Sequence, residues 1–281
     1  MLLCTIDIVV LGGICEKWKA MDSCEIFSVE IGEWKQLPSM NKKRSSNPGT
    51  VVAQHGGSHR IFVFGGYDGF QPLNCCEYYE TGANEWTMVE AKMTVHRYFL
   101  SASLLNHNTV IICGGNDKND EPLTSCELFD LVDLTFDSFP DMIEARYAHA
   151  AVNYNDTVVV MGARDMKTCE LFDASANKWI SFPSLNENHS FFGAAVIDEK
   201  IFVAGGSTDS VEVYDGSAWT VVTKLIVRRF NSSAVNLDGK LVVLGGDREE
   251  VDVFDPATGE WSNLPKMITS TRQSPVAVSY L

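Results

Sequence analysis

The sequence of 281 residues predicts an all-β fold, six four-stranded antiparallel blades closed into a ring. Three observations carry this. Gly-Gly pairs recur at 12–13, 65–66, 114–115, 205–206 and 245–246, with Gly162-Ala163 filling the gap, at spacings of 53, 49, 48, 43 and 40 residues. A second motif follows each pair, written "CEIF", "CEYY" (76–79), "CELF" (126–129 and 169–172), "VEVY" and "VDVF". A Trp then follows the motif's aromatic by seven residues in four copies, at Trp34, Trp86, Trp179 and Trp261. Repeats of about 47 residues with no sustained helical period belong to a β-propeller.

Within a repeat the first strand is rich in small residues, as in "RYAHAAVNY" (146–154). The second is a β-branched run ending in Gly-Gly: "DIVVL", "RIFVF", "TVIIC", "TVVVM", "KIFVA" and "KLVVL". Gly-Gly lets the backbone turn tightly there, because glycine adopts positive φ without steric cost. The "CELFD" run is the third strand and the segment around Trp, as in "KWISFP", the fourth; their aromatics fill the wedge between blades. Phe136 replaces Trp in the third copy, and Trp219 follows Tyr214 by five in the fifth. Turn-rich stretches such as "YDGF", "NDKNDE", "LDGK" and "PATGE" separate the strands. The chain starts at a second strand and stops after a first, "RQSPVAVSYL" (272–281), so that segment should pair with 6–13 and close the ring. The expected blades are 272–281 with 1–40, then 41–92, 93–142, 143–185, 186–225 and 226–271.

Composition narrows the chemistry. A formal charge of −15 disfavours nucleic acid or an anionic membrane as partner. No run approaches the roughly 18 apolar residues of a membrane helix, and "MLLCTIDIVVLGG" lacks the basic region and cleavage site of a signal peptide. A cytoplasmic protein is the expectation. Of the eight cysteines, Cys24, Cys76, Cys126 and Cys169 occupy one repeat position that Val211 and Val251 fill elsewhere, so a buried apolar role is expected. No CxxC, HExxH, Walker or dinucleotide fingerprint occurs, and no catalytic residue, metal or cofactor is expected. "NDKNDE" (116–121) resembles half a calcium loop but lacks its glycine, which favours a solvated loop.

Gly-Gly, the aromatic, the Trp and an Arg opening the first strand together resemble the kelch-repeat family over practically the whole chain. The resemblance implies partner binding on the face that carries two loop sets, those joining fourth to next first strands and those joining second to third. Arg44, Arg97, Arg146, Arg229 (beside Arg228) and Arg272 would stand at the channel mouth there, with His189 in the odd blade. Ile14, Tyr67, Asn116, Arg164, Ser207 and Asp247 follow Gly-Gly on the same face. From these the expected partner-binding set is the five arginines with Tyr67, Asn116, Arg164 and His189.

Guanidinium groups grip carboxylates with paired hydrogen bonds, so a protein or peptide with an acidic segment is the expected partner. Each repeat also carries an acid at its third strand (Glu25, Glu77, Glu127, Glu170, Glu212 and Asp252), so pairs bracing blade to blade are the competing expectation. The reading is a non-enzymatic, monomeric interaction module, in the manner of kelch adaptors that recruit substrates to a ubiquitin ligase. The alternative is a sugar-acid isomerase resembling the kelch-type sialic acid mutarotases.

Overall fold

A computed structural model describes residues 7–15, 18–246, 248–269 and 272–280. Asp247 and the outermost residues of the expected closing pair, Ile6 and Leu281, lie outside the described residues.

All regular structure among the described residues is strand. Blade 1 contains β1 (Asp7–Leu11), β2 (Cys24–Ser28) and β3 (Glu33–Leu37). Blade 2 follows with β4 (Gly49–His55), β5 (Ser58–Phe64), β6 (Leu73–Glu80) and β7 (Glu85–Arg97). Blade 3 has β8 (Ser101–Asn106), β9 (Thr109–Cys113), β10 (Cys126–Asp130) and β11 (Thr135–Phe139). Blade 4 has β12 (Ala150–Tyr154), β13 (Thr157–Ala163), β14 (Met166–Asp173) and β15 (Lys178–Phe182). Blade 5 has β16 (Gly193–Ile197), β17 (Lys200–Ala204), β18 (Ser210–Tyr214) and β19 (Trp219–Lys224). Blade 6 has β20 (Ser232–Leu237), β21 (Lys240–Gly245), β22 (Val251–Asp255) and β23 (Glu260–Leu264), and the last strand is β24 (Val276–Tyr280).

Each sheet has four strands, and the first runs in the order β24-β1-β2-β3. β24 pairs antiparallel with β1, Asp7 opposite Tyr280 and Leu11 opposite Val276, so the ring closes through the two chain ends as the sequence predicts. Closure gives β1 a partner on both edges, removing an exposed template for aggregation.

The second strands read as continuous apolar runs because neighbouring blades cover both of their faces. Ile8, Val9, Val10 and Leu11 are all fully buried. Odd and even residues of one strand enter different cores. Val9 and Leu11 pack with Ile61 and Val63 of blade 2, whereas Ile8 and Val10 pack with Val242 and Leu244 of blade 6. Six apolar clusters result, one at each junction between blades.

The motif aromatic and the Trp are cross-strand partners, as in Phe172 opposite Trp179 with ring centroids 5.5 Å apart. The indole N–H then reaches back one blade. Trp34, Trp86, Trp179 and Trp219 donate to the carbonyls of Pro265, Pro38, Pro140 and Pro183 at 2.8–2.9 Å. Blades 2 and 5 lack that proline, and the next blade answers each case. Trp261 donates instead to Thr223 Oγ1 at 3.3 Å, and blade 3 carries Phe136, which needs no acceptor.

Cys24, Cys76, Cys126 and Cys169 lie within these interblade clusters, and Val211 and Val251 occupy their places in blades 5 and 6. Burial pushes the Cys24 thiol up to about 12 and Cys169 to about 11, and raises Cys76 as well. These are apolar packing groups with suppressed thiolate character.

Candidate functional site

The face carrying the fourth-to-first and second-to-third loops is built by one cluster repeated six times. In blade 4, Arg146 precedes the first strand and is fully buried. Its Nε donates to Glu170 Oε1 at 3.0 Å, and its Nη1 to the carbonyls of Gly162 (2.8 Å) and Thr168 (2.7 Å). Nη2 donates to Thr168 Oγ1 at 2.9 Å and to Glu144 Oε2 at 2.8 Å. Glu170 also accepts the backbone N–H groups of Ile143 and Glu144 in the entry loop.

The pattern recurs in Arg44–Glu77, Arg97–Glu127, Arg229–Asp252 and Arg272–Glu25, with ion-pair distances of 2.7–3.1 Å. Each arginine also donates to the first glycine's carbonyl: Gly65, Gly114, Gly245 and Gly12. In blade 5 His189 holds the arginine's place, Nδ1 3.0 Å from the Gly205 carbonyl and Nε2 3.2 Å from Glu212 Oε1.

This geometry corrects the expected positions of the basic groups. Arg44, Arg97, Arg146, Arg272 and His189 are 0% exposed and Arg229 is 1% exposed, so none of these side chains lies open at the channel mouth. Most of these pairs brace an entry loop to the third strand of the blade it enters, as Arg44 does with Glu77 and Arg146 with Glu170, whereas Arg97 ends β7 of blade 2 and pairs with Glu127 of blade 3. Backbone also links one blade to the next here. Gly13, Gly66, Gly115 and Gly206 donate N–H to the carbonyls of Arg44, Arg97, Arg146 and Arg229 in the following blade at 2.7–2.8 Å. A side chain on Gly12 would put Cβ 2.2 Å from the Arg44 carbonyl oxygen, which explains the glycine. Blade 4 manages with Ala163 because its hairpin turns straight back, Ala163 pairing with Met166.

A further ring, which the sequence reading missed, lies two residues beyond each arginine or histidine. Ser46, Phe99, Ala148, Phe191, Asn231 and Ser274 all take left-handed backbone, with φ between 49° and 60° for this set. Their peptides chain around the channel: Phe99 N–H to Ser46 O, then Ala148 to Phe99, Phe191 to Ala148, Asn231 to Phe191, and Ser274 to Asn231, at 2.7–3.2 Å. Left-handed backbone costs a non-glycine residue about 1–2 kcal/mol, and this collar of hydrogen bonds offsets it.

The collar presents aromatics. Tyr67 packs on Tyr98 with centroids 5.8 Å apart, Tyr98 on Phe99 at 5.0 Å, Phe99 on Phe191 at 5.0 Å and Phe191 on Phe230 at 4.7 Å. Tyr147 flanks Phe99 and Phe191. The signal was present in "RYF", "RYA", "HSFF" and "RFN", where an aromatic follows the basic residue within one to three places.

The remaining expected residues divide by exposure. Tyr67 is part of the aromatic row, and Arg164 is an exposed residue donating to Tyr147 Oη at 2.9 Å. Asn116 is buried, its backbone paired with Tyr98. In "NDKNDE" the Asp117 carboxylate accepts the N–H groups of Asn119 and Glu121, closing the loop on itself. Among the described residues no His, Cys, Asp and Glu cluster could hold a metal ion, and no helix is long and apolar enough to cross a membrane.

A family model described as the KLHDC2/KLHL20/DRC7 Kelch-repeats domain matches residues 1–206, and a Kelch motif model matches residues 228–268. Kelch-like protein 38 of Rattus norvegicus is 23% identical over 218 residues, 74% of this chain and 36% of that protein. Kelch-like protein 21 of Bos taurus is 22% identical over 282 residues, 82% of this chain and 45% of that protein. The chain thus spans less than half the length of either relative. The solved structure of YjhT aligns with a TM-score of 0.74 at 12% identity, covering 91% of this chain and 97% of that one, a likeness of fold. With its repeats in register and the family model matched over residues 1–206, the chain belongs to the kelch-repeat family.

Proposed function

We propose that this propeller is a cytoplasmic protein-interaction module that holds an acidic segment of a partner on the loop face, as the recognition part of an adaptor. The observation that carries the reading is the row from Tyr67 through Tyr98, Phe99 and Phe191 to Phe230. Aromatics left partly exposed on rigid, internally braced backbone are the usual anchors of a protein interface. Phe99 and Phe191 hold strained left-handed backbone to stand there, at φ 52° and 58°. Beneath them the arginines act as positioning residues. The kelch family supports a protein partner, and the Kelch-like relatives support an adaptor role.

The isomerase alternative loses its main support, since the guanidiniums that would grip a sugar carboxylate are each occupied by the protein's own carboxylate. The test is affinity capture from native cells with wild type and with Phe191→Ala/Phe230→Ala. The variant is expected to melt like wild type and to lose most of the captured partners. Undiminished capture of the same partners by the folded variant would overturn the assignment of this face.

A further inference from the structure

We propose that the partner's segment is apolar as well as acidic, and that it docks over the loops of blades 1 and 2. Trp18 and Phe70 are its apolar anchors, and Lys19, Lys42 and Lys43 its charge contacts. This rests on the interaction reading above and extends its contact from the aromatic row to the quadrant of blades 1 and 2.

The two most exposed large apolar side chains among the described residues are Phe70, at 91%, and Trp18, at 76%. Exposure this high means neither ring contributes packing to the fold, while covering a large apolar side chain gains about 1.5–3 kcal/mol. Both are held by backbone hydrogen bonds. Trp18 lies between Ile14 and Ala20, which form a bridge, and its N–H donates to Cys15 O at 2.9 Å. Phe70 is presented by Asp68, whose Oδ1 accepts the N–H groups of Phe70 (2.7 Å) and Gln71 (2.9 Å). The loops abut, because a Cβ on Gly69 would lie 3.8 Å from that of Ala20.

Between them runs the entry segment to blade 2. Arg44 N–H donates to Met21 O and Ser45 N–H to Tyr67 O, both at 2.9 Å, stitching the segment to the loop on either side. Lys42 N–H donates to Glu77 Oε1 at 3.2 Å, which fixes its backbone. Lys19, Lys42 and Lys43 are exposed, and none takes part in an ion pair among the described residues. Among the described residues Glu77 is paired with Arg44, which leaves three ammonium groups facing the two carboxylates of Asp22 and Asp68. The quadrant is a basic and aromatic patch on a body of charge −15.

That contrast decides the partner's class. Charge interactions are screened beyond about 8–10 Å at physiological salt. A short acidic segment placed on the patch meets mainly the lysines. An anionic bilayer or a nucleic acid would extend over the acidic body and be repelled. A peptide with bulky apolar residues beside Glu or Asp fits both the rings and the ammonium groups.

The experiment selects a displayed random-peptide library against the purified chain, then measures synthetic binders by fluorescence anisotropy. Selected peptides are expected to combine acids with Leu, Ile, Phe or Trp. Trp18→Ala/Phe70→Ala and Lys42→Glu/Lys43→Glu should each weaken them about tenfold or more, with wild-type melting. Basic or neutral binders, or no binders, would overturn the proposal, as would sedimentation of the chain with phosphatidylserine vesicles. Binders that ignore these variants but fail on Phe191→Ala/Phe230→Ala would overturn the quadrant and leave the face. Binders that ignore both sets would overturn both readings.

Discussion

Replacing Arg146 by Met tests whether the arginine cluster is a brace. Methionine keeps an unbranched apolar stem of similar reach and deletes the guanidinium. Five hydrogen bonds go with it, to Glu170, Gly162, Glu144 and twice to Thr168. Glu170, 2% exposed, keeps the amides of Ile143 and Glu144 but loses its counter-charge. Breaking a buried pair by removing one partner costs about 3–5 kcal/mol, because the other charge stays buried and uncompensated. At about 2–4 °C per kcal/mol for a larger domain, melting should fall by roughly 6–20 °C. Calorimetry and urea titration read the loss. Adding Glu170→Gln removes the orphaned charge while keeping an amide oxygen for the entry loop, so the double variant should recover part of it. A single variant within about 1 kcal/mol of wild type would refute the brace. A double variant no more stable than the single one would refute the orphaned charge as its cause.

Deleting residues 272–281 removes β24 and leaves the inner edge of β1 unpaired, so aggregation and loss of cooperative melting are expected by light scattering and calorimetry. A monomeric truncation that melts like wild type would exclude closure through β24. Cys126→Val and Cys169→Val should each change stability by less than about 1.5 kcal/mol, as volume-conserving core swaps do, and a larger loss would show the thiols do more than pack. Trp179→Phe removes the indole donor to Pro140 at 2.9 Å and should cost about 0.5–1.5 kcal/mol in urea, beyond any loss of ring area.

The last prediction concerns pH. Burial, reinforced by the Arg146 charge, lowers His149 from 6.5 to about 3, while its Nε2 lies 2.7 Å from Ser101 Oγ. Between these values the unfolded chain binds the proton and the folded one does not, so this residue subtracts stability as pH falls from about 6.5 toward 3. A folded His149→Gln variant should show a shallower fall in urea midpoint between pH 6.5 and 5 than wild type, and parallel curves would remove His149 from the acid response.

Sequence alone determined the features that repeat along the chain. Gly-Gly, the third-strand motif and the Trp are set by local backbone and by packing against the next identical unit, so six copies in register specify strands, blades and ring closure. The interchange of Cys with Val likewise revealed an apolar core position, since a site that accepts both makes no use of a thiol. The direction a long side chain takes from a loop is a different kind of property. Arg146 and Glu170 are 24 residues apart, and as sequence an arginine facing a ligand and one buried on its own carboxylate read alike. Only the fold, which brings the entry loop over the second and third strands, decided that the guanidiniums turn inward. The same holds for the collar, whose left-handed residues are joined by hydrogen bonds running from blade to blade. It holds too for Trp18, Lys42 and Phe70, which share a surface because three loops from two blades are stitched together there. Which residues repeat is local information, whereas which of them reach solvent depends on contacts between distant segments.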